Sequence, residues 1–295
     1  VLFAQLAARD GGRSVVDLGT ILEMAGRFEE ARAVYLTAEG SAADPQVRDW
    51  LGGRILGTCR LDTVLVLSVV ITNDGPGEAG DIELRIPLPE SHPPYQSIEI
   101  MGGVFRRDGD QMTADLPRLS PGGRAVMPLL ISVRQEPYTF RPLSPLREGT
   151  DLRALSAHAL SLQLAETDST PGPCLDAAFA MKEWAEMSGT GLSVTGGLIR
   201  TQENGLLFHA WNHTSNEGIP LDVSLLQRDS LRGICHCPTD LIPLWDLEGT
   251  GGHEVSAFYS QPDADISVSM EAAFADRPLI EQLLRTFPLC LLGKV

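Results

Sequence analysis

The chain has 295 residues, 43% of them hydrophobic and 21% charged, with a formal net charge of −16 at pH 7. That length predicts two or three domains, and the apolar share is that of a globular protein with buried cores. The acidic balance excludes nucleic acid and anionic membrane surfaces as partners, since no basic patch could displace their counterions, and no apolar run approaches the roughly 20 residues of a membrane helix. An acidic surface suits a cationic or amine-bearing substrate, although it also simply keeps a protein dispersed. The five cysteines, Cys59, Cys174, Cys235, Cys237 and Cys290, are odd in number and unevenly spaced, unlike a disulfide framework. A reducing, cytoplasmic location is therefore expected; the chain opens at Val1, so a leader upstream of it is compatible with this expectation.

Residues 15–38 carry a helical period, with Leu18, Ile21, Leu22 and Ala25 on one face and Phe28, Ala31, Tyr35 and Ala38 after a break at Gly26, which predicts two short antiparallel helices. Leu18-Gly19, Leu22, Gly26, Phe28, Ala31, Tyr35 and Ala38 stand at the spacings of a tetratricopeptide repeat, which this stretch resembles. Residues 44–56, with Trp50-Leu51-Gly52, read as the first helix of a second unit. Two uses are open for this segment, 1–58: a peptide-docking surface, or a helical cap packed on the next domain.

From Arg60 the period becomes strand-like. Residues 61–72 are rich in Val, Leu and Ile and end in Asn73-Asp74-Gly75-Pro76-Gly77, a dense turn signal. Residues 81–87 alternate Ile82, Leu84 and Ile86 with Glu83 and Arg85 as a half-buried strand does. Further strands are expected around 97–105, 111–116 and 124–133. The spacing predicts an antiparallel, immunoglobulin-like β-sandwich over 59–136, with His92 in a proline-rich loop and no clustered ligands. On Thr72-Asn73 and Ile86-Pro87-Leu88-Pro89 it resembles the sandwich that precedes transglutaminase-like domains in many bacterial proteins. Pro137, Pro142 and Pro145 mark 137–150 as a linker.

The last domain is expected over 151–295. Residues 151–165 read as a helix, with Leu152, Leu155, Ala159 and Leu162 in register, and Asp168-Ser169-Thr170-Pro171-Gly172-Pro173 ends it. A second helix over 174–187 turns Ala177, Ala178, Met181, Trp184 and Ala185 towards a core. Cys174 then falls at a helix N-terminus, where unpaired amides and the dipole favour a thiolate and could stabilise an oxyanion. Strands follow over 191–199, 205–211 and 220–225, the second carrying His209. A thiol becomes a good nucleophile beside an imidazole, and the imidazole needs a carboxylate to hold its tautomer. Cys174, His209 and Asp222 supply these residue types in order.

Here the residues resemble the transglutaminase-like fold, a relative of papain-type cysteine enzymes. Gly172, Cys174, Asp176 and Ala178 match the family's Gly-x-Cys-x-Asp-x-Ala helix start, His209-Ala210-Trp211 its His-Ala-Trp strand, and Pro220-Leu221-Asp222 its Pro-Leu-Asp strand. The resemblance covers about residues 150–275. It implies a multidomain α+β chain with the cysteine helix packed on an antiparallel sheet. It also implies Cys174 as nucleophile, His209 as general base and acid, and Asp222 as the residue that orients His209. Trp211, Asp176 and Gln163 are candidates for lining the site; Gln163 is an oxyanion donor on the papain analogy, or else an ordinary surface residue. The chain departs from the family pattern in two places: prolines stand where an aromatic residue often precedes the cysteine, and Asn212-His213-Thr214-Ser215-Asn216 is expected to turn at once and clip the strand.

Other signals are weaker. Cys235-His236-Cys237 offers at most three metal ligands, without a familiar zinc spacing, so no metal and no cofactor are expected; packed thiols are the alternative. Asn212-His213-Thr214 matches a glycosylation sequon but adjoins the histidine of the site. His158 and His213 read as structural histidines. Residues 278–292, with Ile280, Leu283, Leu284 and Phe287, are too short to span a membrane and are expected to pack on their own chain.

The function implied is acyl transfer. Cys174 attacks a carboxamide or thioester, protein-bound or carrier-protein-bound, and an amine takes the acyl group to form an amide. Water as acceptor gives hydrolysis, as in a cysteine protease or deamidase. The alternative from another class is an inactive transglutaminase-fold module that binds or scaffolds a partner.

Overall fold

Gly26 and Pro45 punctuate the first part of the computed structural model, which describes residues 13–140, 174–187, 189, 191–203, 205–215, 218–222, 233, 236–247, 256–259, 261 and 263–286. Helices α1 (Arg13–Met24) and α2 (Phe28–Glu39) flank Gly26, whose φ of +73° is one that side-chain-bearing residues rarely adopt. Helix α3 (Pro45–Gly57) begins with Asp44 accepting from the Gln46 amide at 2.9 Å and Pro45 in the first turn. Val15, Leu22, Ala31, Val34, Tyr35, Ala38 and Leu51 form the shared core of the three helices. Gly19 allows the close approach of α1 and α2: a Cβ there would lie 2.2 Å from the Tyr35 ring.

Among the described residues the chain is α+β, with five helices and pairings that are antiparallel wherever a register is defined. It divides into two units, one of Val1–Leu61, His92–Tyr95 and Gln135–Asp246, the other of Asp62–Ser91, Gln96–Arg134 and Leu247–Val295.

In the second unit, β1 (Leu61–Asn73), β3 (Gln96–Gly103), β6 (Arg124–Gln135) and β14 (Ile266–Phe274) form a sheet in the order β14-β1-β6-β3. Strands β2 (Ala79–Pro87), β4 (Arg106–Asp108), β5 (Gln111–Leu119) and β13 (Ser256–Phe258) form another in the order β13-β2-β5-β4. Leu65, Leu67, Val69 and Ile71 of β1, like Ile82, Leu84 and Ile86 of β2, are fully buried at every second position. That alternation is what an inward face packed against a second layer produces. The turn signal after β1 is held by Asn73, whose Nδ2 donates to the carbonyls of Gly77 (2.8 Å) and Leu119 (3.0 Å) while its Oδ1 accepts from the Gly75 amide. Helix α5 (Arg277–Thr286) starts with Asp276 accepting from the Leu279 amide at 2.9 Å. No helix among the described residues is long and apolar enough to cross a membrane.

In the first unit the three helices meet β7 (Tyr138–Thr139), β11 (His236–Cys237) and a sheet in the order β10 (Pro220–Leu221), β9 (Leu206–Thr214), β8 (Leu192–Arg200), β12 (Leu241–Asp246). Tyr138–Thr139 falls in the stretch read as linker, and it pairs with β11. Of the Cys-His-Cys stretch, His236 and Cys237 are described. His236 is buried, its Nε2 is 2.7 Å from Glu23 Oε2, its Nδ1 is 2.8 Å from the Thr139 hydroxyl, and Phe28 stacks on its ring. Arg54 donates to Glu23 from the other side at 3.0 Å. Glu23 is thereby held ionised at a pKa of about 2 although burial opposes it, because His236 and Arg54 outweigh the loss of water. Among the described residues no cluster suited to a metal ion exists.

Candidate functional site

Helix α4 (Cys174–Met187) buries Ala178, Met181 and Ala185 at helical spacing, against β8 (Leu192–Arg200) and β9 (Leu206–Thr214). Cys174 opens the helix and is half-buried. Strand β9 pairs with β8 along its whole length, from Leu192↔Thr214 to Arg200↔Leu206. On its other side β10 (Pro220–Leu221) pairs only with His213 and Asn212. Ala210 therefore lies beyond the end of β10, and its amide hydrogen-bonds the Cys174 thiol.

His209 is buried on β9. Its Nε2 lies 2.7 Å from Asp222 Oδ2, and its ring also hydrogen-bonds Cys174, which leaves Nδ1 for the thiol. Asp222 follows β10 directly and is held there by its own amide donating to the Gly233 carbonyl at 2.8 Å. The Trp211 ring stacks on the imidazole at 5.7 Å and 29°. Gly197 makes room for that indole: a Cβ at this position would stand 2.7 Å from the Trp211 ring and 2.2 Å from the Ile242 carbonyl oxygen of β12 (Leu241–Asp246).

The charges follow from these contacts. Burial opposes ionisation of Cys174, but the hydrogen bond and positive charge of His209 and the Ala210 amide outweigh it, so the thiol sits below its usual pKa. Burial likewise disfavours a charged His209; the bonds to Asp222 and Cys174 prevail and raise it to about 10. The two directions favour a thiolate on Cys174 and a proton on His209. A small cavity of about 10 Å³ adjoins it, lined by Cys174, Ala178, Ala210, Trp211, Asn212 and Asp222.

Cys174, His209, Asp222 and Trp211 are thus brought together. Asp176 is exposed in the first turn of α4, outside the cavity lining, and Gln163 lies outside the described residues, as does the helix expected over 151–165. The strand is not clipped after Trp211: β9 runs on through Asn212-His213-Thr214 before turning at Ser215. Its continuation pairs with both β8 and β10, a tertiary gain that overrides the polar local sequence. Asn212 is fully buried there, so the sequon is closed to glycosylation in the folded chain. His213 bonds Thr195 through Nδ1 at 2.7 Å, a structural arrangement as expected.

Three contributors escape sequence reasoning: the Ala210 amide, Asn212 and Gly197. For Gly197 the signal is present, since glycines inside a strand mark a close approach. For the other two it is a polar residue and a backbone group whose partners lie on other elements.

No protein-family model matches the chain, and no curated protein matches it. A solved structure that matches is that of a protein from Cytophaga hutchinsonii, provisionally named a cysteine protease. Its TM-score is 0.35 and its identity 9%, with 74% of this chain and 93% of that chain covered.

Proposed function

We propose that the chain is a transglutaminase-like cysteine enzyme of the papain-related type, which transfers acyl groups from a carboxamide or thioester to an amine. The observation that carries this reading is the imidazole of His209 bonded to the Cys174 thiol on one side and to the Asp222 carboxylate on the other.

The Cys174 thiolate attacks the carbonyl carbon. The oxyanion that forms is stabilised by the free amides and dipole at the start of α4. His209, as imidazolium, gives its proton to the departing ammonia or thiol, and an acyl-thioester on Cys174 remains. The amine attacks that thioester and yields its proton to His209; the new amide leaves and the ion pair is restored. Water in place of the amine releases the acid, so hydrolysis is the competing fate of the same intermediate. Asp222 keeps the imidazole oriented throughout.

The test is alkylation of the full chain with iodoacetamide, mapped by peptide mass across pH. Cys174 should be modified selectively near pH 6, because its thiolate persists below the range of ordinary thiols. The ion pair survives above the lowered pKa of Cys174 and below that of His209. Turnover of an activated glutamine ester or a carrier-bound thioester with an amine should therefore rise through the first and decline near pH 10. Slow and uniform labelling of all five cysteines would refute the enzyme and leave the binding module.

A further inference from the structure

Asn212 is a buried polar residue of β9 that the reaction proposed above leaves unused. Its Nδ2 donates to the Ala178 carbonyl of α4 at 2.8 Å and lies 3.4 Å from the Ser193 carbonyl of β8. Its Oδ1 has no hydrogen-bond partner among the described residues. The orientation of the amide is dictated by chemistry: both neighbours present carbonyl oxygens, which only accept, so the nitrogen must face them. A buried oxygen left unpaired opposes folding, and an apolar side chain of similar size would suit the surroundings better. What the amide alone provides is a bond from helix to strand. Ala178 lies one turn beyond Cys174 on α4, and Asn212 lies just beyond His209 and Ala210 on β9.

We propose that Asn212 is a positioning residue: by fastening the Ala178 carbonyl to β9, it holds the start of α4 in the register at which the Cys174 thiol meets both the His209 ring and the Ala210 amide. The inference rests on the reading of Cys174 as an activated nucleophile. Hydrogen bonds fail over a few tenths of an ångström and a few tens of degrees, and a nucleophile displaced by about 1 Å loses about a hundredfold in rate. The buried face of α4, Ala178, Met181 and Ala185, is apolar, so the Asn212 bond adds a directional tie to β9 that packing alone does not supply.

The test compares wild type with Asn212→Leu and Asn212→Asp in the full chain, reading thermal stability and the pH profile of Cys174 alkylation. Asn212→Leu keeps the volume and removes both the donor and the unpaired oxygen. It should melt at or above the wild-type temperature, yet label Cys174 at least about tenfold more slowly at pH 6, with the profile displaced to higher pH. Asn212→Asp keeps the shape and donates only while its carboxyl is protonated, so its labelling should fall away from wild type as that carboxyl ionises. If Asn212→Leu does not fold, the Asn212→Asp profile decides. A wild-type profile in Asn212→Leu, or in Asn212→Asp at every pH, overturns the positioning role and leaves the activated cysteine standing. Wild-type protein that fails to label selectively at pH 6 overturns the underlying reading instead.

Discussion

Replacing Asp222 with alanine isolates what the carboxylate does for the ion pair. The group removed lies 2.7 Å from His209 Nε2 and is itself 2% exposed, so the bond is charge-assisted and shielded from water. Hydrogen bonds to charged groups contribute about 1.5–3 kcal/mol, and each pKa unit corresponds to about 1.4 kcal/mol. The imidazolium of His209 should therefore titrate about one to two units lower in Asp222→Ala. Because His209 starts from about 10, it stays protonated at pH 6 in the variant; the change falls at the alkaline limit of the ion pair, which should drop by about one to two units. The negative charge of Asp222 also disfavours the thiolate, but this is the smallest influence on Cys174, so alkylation at pH 6 should change little. Asp222→Asn keeps an acceptor for Nε2–H without the charge and should fall between the two. The assay is the pH profile of turnover of an activated glutamine ester with an amine in the three proteins, with melting curves to show that each is folded. Folded Asp222→Ala whose turnover declines near pH 10 as in wild type would refute the carboxylate's role in holding the pair.

Two further perturbations test the frame around the site. Glu23 has a pKa of about 2 in the folded chain against 4.5 unperturbed, so its contribution is complete above pH 4.5 and is lost as pH falls towards 2, an amount of about 3 kcal/mol by linkage. Glu23→Gln leaves Arg54 buried without its counter-charge, which should cost about 3–5 kcal/mol at pH 7 and flatten the acid limb of stability; denaturant titrations from pH 7 to 2 that superimpose on wild type would contradict this. Gly197→Ala drives a methyl into the Ile242 carbonyl and the Trp211 ring. It should destabilise the chain by about 1–3 kcal/mol, alter tryptophan fluorescence and slow Cys174 labelling; unchanged melting and labelling would show that the sheet yields without cost.

Local pattern made part of this fold legible. The break at Gly26 and the helix start at Asp44-Pro45 fall where turn and capping chemistry place them, and alternation in residues 81–87 marks β2. Pairing across the chain was not legible. Strand β14 lies against β1 from Leu65↔Phe274 to Asn73↔Ile266, and nothing in either segment names its partner. Strand β12 is a wholly buried run from Leu241 to Trp245, interrupted by Pro243 at a register shift, so it shows neither alternation nor an open breaker. His236 looked like ligand material because its partners, Glu23 and Thr139, come from elements remote in sequence.

The candidate site divides in the same way. Its thiol, imidazole and carboxylate are legible because few residue types can do such work, and their order along the chain narrows the choice. What makes them meet is the shortness of β10, which no motif announces. Had β10 continued along β9 as far as Ala210, its backbone would have competed for the amide that now bonds Cys174. By stopping after Leu221 it hands the chain over to Asp222, which turns in to meet His209. The short strand thus leaves one donor for the thiol and delivers one acceptor to the imidazole. Asn212, pinned between β8, β10 and α4, is the last residue of β9 before that pairing ends, where a single side chain can tie the helix to the strand it must face.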